Sequence, residues 1–396
     1  MPGRWRGPAD YKRSSAVWRE PTGPTITKPG RWREPADASP SESCGGPFGR
    51  DFRPHSPDPC QSAKLRVLAP DCGRPLPAHS LLVTEIVSIP DITLSAVDAA
   101  LQGGVVSIGN FDGVHLGHAS LLGQTRQLAD RLGGPAIACL FDPHPIAILR
   151  PELAPKRLTS VEERARRMTK LGIDYLVVCQ TSTDLLNLSP ERFFGALVRD
   201  NLKCRGVVEG ENFCFGKDRR GDVEVLRTLC HDQGIEFRVA EMESADGAMI
   251  SSTRIRDLLA EGNVREAAAM MDTPHLLCGV VAQGDRRGRT LGFPTANLEQ
   301  IDVVIPAGGV YAGFASVGTT RHPAAIHIGE SPTFQSGDPT KVEVHLIGFS
   351  GDLYGQTVSV ELIDRVRGVV RFDSVEAIAD QLRKDIQSAQ QLLALP

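Results

Sequence analysis

The sequence predicts an α/β fold: a doubly wound parallel sheet, then a small antiparallel β-barrel with a closing helix. Two observations carry this. Over residues 103–242, short apolar runs alternate with amphipathic helical stretches, the pattern of strands joined by helical crossovers. From about residue 273 the runs follow one another at short spacing across Gly-rich turns, the pattern of a small barrel.

In the first part, "GGVVSIG" (103–109) reads as a buried strand. "HASLLGQTRQLADRL" (118–132) is an amphipathic helix that Gly133 and Gly134 stop. "PAIACLFD" (135–142) is a second strand, and "SVEERARRMTKLG" (160–172) leads as a helix to "IDYLVVCQ" (173–180). "SPERFFGALVRDNL" (189–202) is a helix before the strand "CRGVVEG" (204–210). "VEVLRTLCHDQG" (223–234) and "IEFRVAEM" (235–242) complete the alternation. The barrel strands are "HLLCGVVAQG" (275–284), "GVYAGFASVG" (309–318), "AAIHIG" (324–329), "KVEVHLIGF" (341–349) and "QTVSVELIDRVRG" (356–368). The helix "SVEAIADQLRKDIQSAQQLLA" (374–394) closes the chain behind a Ser374 cap. The predicted domains are therefore 81–272 and 273–396, after a tail over 1–80.

The tail holds 14 of the 28 prolines and all three tryptophans. It carries 13 Lys plus Arg against 8 Asp plus Glu, a net of +5, which leaves −9 for the remainder. With no lasting period it cannot bury enough surface to offset chain entropy, so disorder is expected. A transit segment, an interaction tail and sequence upstream of the true start are the competing readings. Acidic residues and prolines weigh against the first. The third is favoured, with a start near Leu81–Thr84 and mass spectrometry of the native N-terminus as the check.

The net charge of −4 does not point to a nucleic-acid partner, and no apolar stretch reaches the roughly 20 residues of a membrane span. Nine cysteines at irregular spacing, with no CxxC, argue for reduced thiols in the cytoplasm rather than a disulfide or metal framework.

The chemistry-bearing motifs fall at strand ends, where α/β sheets bind ligands. "GNFDGVHLGH" (109–118) lies between the first strand and the first helix. Gly109, Gly113 and Gly117 allow close backbone approach, and a helix N-terminus offers free N–H groups to phosphate. His115 and His118 can both donate to one oxyanion. A packed histidine beside an exposed one would leave the same pair in the sequence. "FDPHP" (141–145), "GENFCFG" (210–216) and "ISSTRIR" (250–256) end the second, fourth and fifth strands on the same sheet edge. In the last, Ser251, Ser252 and Thr253 can cap a helix while Arg254 and Arg256 face outward.

In the second part, Thr295 and Asn297 of "GFPTAN" point the same way if the segment is extended. Neutral oxygens there can coordinate a magnesium already held by nucleotide phosphates. A Gly/Pro turn with its polar tips in water would look the same. Glu343, in "VEVHL" (342–346), is flanked by apolar residues.

The H-x-G-H pattern resembles the nucleotidylyltransferase superfamily. Together with "FDPHP", "GENFCFG" and "ISSTRIR" it resembles the adenylyltransferase module of bacterial bifunctional riboflavin kinase/FMN adenylyltransferases. "GVYAG" (309–313), "SPTF" (331–334), "VEVHL", "GDLYG" (351–355) and "FDSVEAIADQLRKDI" (372–386) resemble the riboflavin kinase module of the same family. The resemblance covers about residues 81–396. It implies ATP-dependent phosphorylation of riboflavin to FMN, then adenylylation of FMN to FAD and pyrophosphate, with Mg²⁺ in both steps. It implies His115 and His118 on the ATP phosphates, with Gly109, Asn110, Asp112 and Gly113 in the same loop. It implies Ser251, Ser252, Thr253 and Arg256 as a second ATP motif, and His144 and Pro145 on the flavin side. In the kinase module it implies Gly292, Pro294, Thr295 and Asn297 for Mg-ATP, Glu343 as base, and Arg367 near the flavin. Two departures stand out: Cys214 where the family often has Arg, and Gly368-Val369 where it often has polar residues.

The partners implied are ATP, riboflavin and FMN, with neither nucleic acid nor membrane, and homo-oligomers remain open. Another nucleotidylyltransferase would not need the second module. A tRNA-charging enzyme would need a lysine-rich second signature in place of "ISSTRIR". A binding regulator would need decayed sites.

Overall fold

The computed structural model describes residues 83–94, 97–241, 250–284, 292–329, 340–372 and 374–394. The tail (1–80), the arginine-rich stretch 285–290 and "SPTF" lie outside the described residues.

Six parallel strands form the first sheet: β1 (Glu85–Ile89), β2 (Val105–Ile108), β3 (Ala136–Asp142), β4 (Tyr175–Gln180), β5 (Gly206–Glu209) and β6 (Glu236–Val239). Their order is β1-β4-β3-β2-β5-β6. From β2 the chain moves out through β3 and β4, then returns to β5 and β6 on the other side, so β2 and β5 flank the switch point. Central strands read as continuous apolar runs because helices cover both faces. Neighbouring side chains then go to opposite cores. Val106, Ile137, Cys139 and Val207 pack with Phe193, Leu197 and Leu226, whereas Val105, Ala136, Ala138 and Val208 pack with Leu121, Leu128 and Met168.

Helices α1 (Leu116–Leu132) and α3 (Val161–Lys170) supply one cover. The other comes from α5 (Pro190–Phe194), which continues as a π-helical stretch over Gly195–Asn201, and from α6 (Val223–Asp232). Short helices α2 (Pro145–Leu149) and α4 (Thr183–Leu186) follow β3 and β4. Three differences from the sequence reading have local causes. Edge strand β1 is additional; "EIVSI" pairs with β4 in parallel and the following Pro90 ends it. Helix α1 starts two residues early because His115 caps it, its Nδ1 accepting the His118 N–H. The 189–202 helix widens after Phe194 into the π-helical stretch.

The second layer is a closed barrel in the order β10-β11-β8-β7-β12-β9. Its strands are β7 (His275–Ala282), β8 (Ala296–Glu299), β9 (Gly309–Val317), β10 (Thr320–Gly329), β11 (Lys341–Leu346) and β12 (Thr357–Arg367). Strand β10 begins four residues before "AAIHIG" and runs through Pro323. The β11 ladder begins only at Ala324, so the missing Pro323 N–H breaks no pair there. Leu277, Leu298, Ile326, Val344 and Val360 fill the interior. Helix α9 (Val375–Ala394) lies outside, with Ala389 against Ala312 and Ala325, and Ser374 caps it by accepting the Ala377 N–H at 3.1 Å.

Helices α7 (Ser252–Glu261) and α8 (Val264–Met271) join the barrel core through Ile255, Leu258, Leu259, Val264 and Met271. Leu158, from the segment before α3, enters the same cluster. The Val304 N–H donates to the Arg157 carbonyl at 2.7 Å, and fully buried His275 meets the Val304 carbonyl at 2.7 Å. Sheet and barrel thus belong to one compact unit.

Leu259 has no exposed surface and serves this shared core. Leu259→Ala is expected to destabilise the protein by about 2–5 kcal/mol, read as a lower urea midpoint. Leu94→Ala, at a side chain 85% exposed, is expected to stay within about 0.5 kcal/mol.

Two candidate active sites

The first site is the loop between β2 and α1. Phe111, Gly113 and Val114 hold φ of 48°, 87° and 42°. A β-branched residue in that region is strained, so the surroundings must impose it. Gly113 donates its N–H to Thr159 Oγ1 at 3.0 Å, and its carbonyl accepts from Arg167 at 2.8 Å. A side chain at Gly113 would press on Leu158 Cδ1 at 3.0 Å.

Asp112 is buried in the middle of this loop, and its carboxylate has five donors. The Leu158 and Thr159 N–H groups donate at 3.0 and 3.1 Å, the Thr159 hydroxyl at 3.2 Å, and Arg164 at 2.8 Å. Arg256 is the fifth. The Asp112 carbonyl accepts the Ser252 hydroxyl at 2.8 Å. Arg256 therefore turns inward, where the sequence reading had it facing outward; it also donates to the Lys156 carbonyl at 2.8 Å. The cause is Asp112, whose buried charge needs cationic donors. One carboxylate against Arg164 and Arg256 leaves an excess of one positive charge.

The His115 and His118 rings stack at 3.7 Å, and Phe111 meets His118 edge-on at 5.4 Å. Burial pushes the His115 imidazole down to about 4, against which Asp112 acts weakly. Burial, His115 and Arg164 hold His118 well below the usual histidine range. Burial and Arg256 lower His144. All three are neutral at pH 7.

His144 caps α2 just before Pro145, its Nδ1 accepting the Ile146 N–H at 3.1 Å. Its proton therefore sits on Nε2, which meets the Asn110 side-chain amide at 2.8 Å. The amide oxygen is the group that can accept there, so the NH₂ faces the other way. That second amide atom, His118 Nδ1 and Ser107 Oγ are all buried without protein partners. Ser107 lies in β2, while the Asn110 and His118 atoms lie together on the strand-to-helix turn, where a polar ligand could meet them.

Ser251 caps α7, its hydroxyl accepting the Arg254 N–H at 3.3 Å, and Thr253 is exposed in the first turn. Gly109 ends β2, its N–H donating to the Cys139 carbonyl at 2.9 Å. Cys214 is half-buried between Phe213 and Phe215, which stack at 5.5 Å. Sequence reasoning missed Arg164 and Arg167, which look like surface charges of "EERARR". It also missed Glu209, fully buried at the end of β5. Glu209 accepts the Ile108 N–H at 2.5 Å just past the last β2–β5 pair, and burial drives its carboxyl well above the usual range. An acid ending an apolar run was the available signal.

The second site is a rung across the barrel. Ala282, Asn297, Glu343, His327, Val310 and Arg367 lie opposite one another in turn on β7, β8, β11, β10, β9 and β12. Opposed residues share a face; here it is the outer one, since Leu298, Val342, Val344, Ile326 and Ile328 point inward. The Asn297 amide lies against Gly284, where a side chain would come within 2.1 Å of it. Gly284 thus holds the amide's cradle open. Thr295 is half-buried just before β8, and Gly292 turns the chain at φ 84°. The Pro294 carbonyl accepts from His345 at 2.8 Å. Arg367 forms a bidentate pair with buried Asp385 of α9 at 2.7 and 2.9 Å. Val369 is 59% exposed beyond it.

Hard oxygens at Thr295 and Asn297 suit a small divalent cation that keeps water and phosphate ligands. Among the described residues no group of three His, Cys, Asp or Glu could hold a metal by itself.

Asp112→Asn is expected to cost about 3–5 kcal/mol of stability, because it leaves buried Arg164 uncompensated. His115 is neutral when folded and protonates near 6.5 when unfolded. Stability should rise as pH increases from about 4 to 6.5, on the order of 3 kcal/mol from this residue. Fully buried His275, also pushed down to about 4, acts in the same direction. Denaturation midpoints against pH should show a shallower slope in His115→Gln.

The family model for FAD synthetase matches residues 97–254, and that for riboflavin kinase matches 271–393. The bifunctional riboflavin kinase/FMN adenylyltransferase of Escherichia coli K12 is 33% identical over 298 residues, covering 75% of this chain and 95% of the relative. That of Listeria monocytogenes is 35% identical, covering 73% and 92%. That of Bacillus subtilis 168 is 32% identical, covering 72% and 91%. A solved structure from Streptococcus pneumoniae, described as a macrolide-efflux protein, is 29% identical with a TM-score of 0.70 and covers 77% of this chain and 98% of its own. Among the described residues no helix is long and apolar enough to cross a membrane. The two matched families fall in chain order on the sheet and on the barrel, and the chain belongs to the bifunctional riboflavin kinase/FMN adenylyltransferase family.

Proposed function

We propose which residues carry each reaction of this bifunctional enzyme, which phosphorylates riboflavin to FMN and adenylylates FMN to FAD. The division we favour is 81–272 for adenylylation and 273–396 for the kinase. The orphaned polar atoms of Ser107, Asn110 and His118 beside a cluster of excess positive charge carry the first assignment.

In that site ATP lies over the 109–118 loop, its phosphates against His115, His118, the Asn110 NH₂ and the first turn of α1. Ser251, Ser252 and Thr253 border it from α7. Asp112, saturated by five donors, shapes the loop, and Arg256 is oriented by it. The FMN phosphate, with a second pKa near 6, is already ionised at pH 7. Its oxygen bonds to the α-phosphorus and pyrophosphate leaves, so no general base is needed. Neutral imidazoles donate to the oxygens that gain charge, and the cluster supplies the positive potential. Flavin approaches from the side of His144 and Pro145.

In the kinase the nucleophile is an alcohol. Glu343 takes its proton as the oxygen bonds to the γ-phosphorus and ADP leaves. Thr295 and Asn297 would hold Mg²⁺ with ATP, beside Gly292 and Pro294. When bound, the cation neutralises phosphate charge in both steps. Arg367, anchored by Asp385, fixes the end of β12 and the loop that meets the flavin.

The test follows flavins over time in protein supplied with riboflavin, Mg²⁺ and ATP. His115→Ala should lower FAD formation about 10²–10³-fold and leave FMN formation intact. Glu343→Gln should lower FMN formation about 10²–10⁴-fold and leave FAD formation from added FMN intact. Equal loss of both activities in either variant would contradict the assignment.

A further inference from the structure

We infer that His327 is a positioning residue of the kinase reaction: its imidazole holds the Glu343 carboxylate in the place from which it takes the substrate proton. The inference rests on the reading of Glu343 as the base.

Three observations carry it. His327 and Glu343 are direct partners in the β10–β11 register, and Glu343 is in turn the direct partner of Asn297 on β8. The imidazole is therefore on the same face as the acid and the amide, at the centre of the rung. Next, His327 Nδ1 lies 3.7 Å from Glu343 Oε2, with the two side chains 44% and 37% exposed. That is slightly beyond a hydrogen bond, and catalytic contacts of this kind commonly shorten when substrate binds. Third, the ring rests over Gly329. A side chain there would come within 3.0 Å of Cε1 and 3.1 Å of Nε2, but only within 3.9 Å of Nδ1. The bare glycine lets the ring lie flat along β10 with Nδ1 towards the acid.

The chemistry explains the need. A glutamate has three side-chain torsions, so more than one contact can be needed to fix its carboxylate. General-base catalysis requires its oxygen within hydrogen-bond reach of one hydroxyl. A donor fixed on the neighbouring strand selects the rotamers that meet this condition. His327 touches neither reacting atom, so its effect passes through Glu343.

The experiment measures kcat and KM for riboflavin and MgATP in the full-length protein. Its variants are His327→Leu, His327→Asn, Gly329→Ala and Glu343→Gln. FAD formation from added FMN reports intact folding in each. His327→Leu should lower kinase kcat about tenfold or more with both KM values nearly unchanged. His327→Asn places an amide N–H where Nδ1 was and should restore most of the rate. Gly329→Ala, which displaces the ring while retaining His327, should behave like His327→Leu. An unchanged kcat in His327→Leu, while Glu343→Gln has lost activity, overturns the inference. So does His327→Asn falling as far as His327→Leu. A fully active Glu343→Gln would instead overturn the reading of Glu343 itself.

Discussion

The buried Asp112 carboxylate is the interaction on which both layers depend. Ionised in an apolar setting, it is costly unless every lone pair is met. Its donors come from three places: the 158–159 segment, Arg164 of α3, and Arg256 of α7. Each is thereby fixed relative to the loop that carries His115 and His118. The Asp112 carbonyl adds Ser252, so α7 is held at two points one turn apart. The far end of α7 is buried in the barrel core through Leu258 and Leu259. A single acid near the switch point thus links the sheet's ligand loop to the barrel. Val114 holds φ 42°, a conformation a β-branched residue avoids, so the frame around Asp112 must impose it.

Much of this architecture was legible because local and global signals agree. Runs such as "VVSI" and "AIACLFD" are apolar on both faces, so they had to be central strands. "HASLLGQTRQLADRL" repeats its apolar residues at helical spacing and ends in glycines. Edge strand β1 was not legible: one side of it meets no strand, and its alternation of buried and half-exposed residues is short. Strand β8 was hidden for a similar reason, since only Ala296 and Leu298 of its four residues point inward. Pro323 disguised the start of β10, because the missing donor is harmless only at the end of a ladder, a fact of tertiary pairing.

The sites divide along the same line. His115, His118 and Asn110 stand in a motif whose glycines and histidines have no common structural use together. Arg164 and Arg256 sit in charged helices, where a sequence cannot tell a solvated arginine from one buried on a carboxylate. Glu209 and His327 needed the register: each matters through a neighbour on another strand, Ile108 and Glu343 respectively. Sequence reading placed Arg256 outward because helical phase alone separates it from Ile255; the pull of Asp112 is a long-range effect.

The two candidate sites differ in the way the nucleophiles proposed for them require. At the first, the acids among the described residues are spoken for: Asp112 is saturated, Asp142 pairs with Arg157 at 2.8 Å, and Glu209 is buried with its carboxyl pushed towards the neutral form. None is placed to take a proton from a substrate, and an FMN phosphate has none that must be removed. At the second, Glu343 is more than a third exposed on the outer face, between an amide and an imidazole. An acid in that setting lies within reach of a substrate hydroxyl, which the proposed base for an alcohol nucleophile requires. On the proposed assignment, buried, paired acids shape a cradle for anions, and a half-exposed acid on a rigid strand is placed to act as a base. Fold alone does not dictate either arrangement, and one chain holds both because each layer supplies a different kind of wall. The sheet offers a helix N-terminus beyond a crevice, and the barrel offers a flat outer face on which opposed strands align side chains in rows.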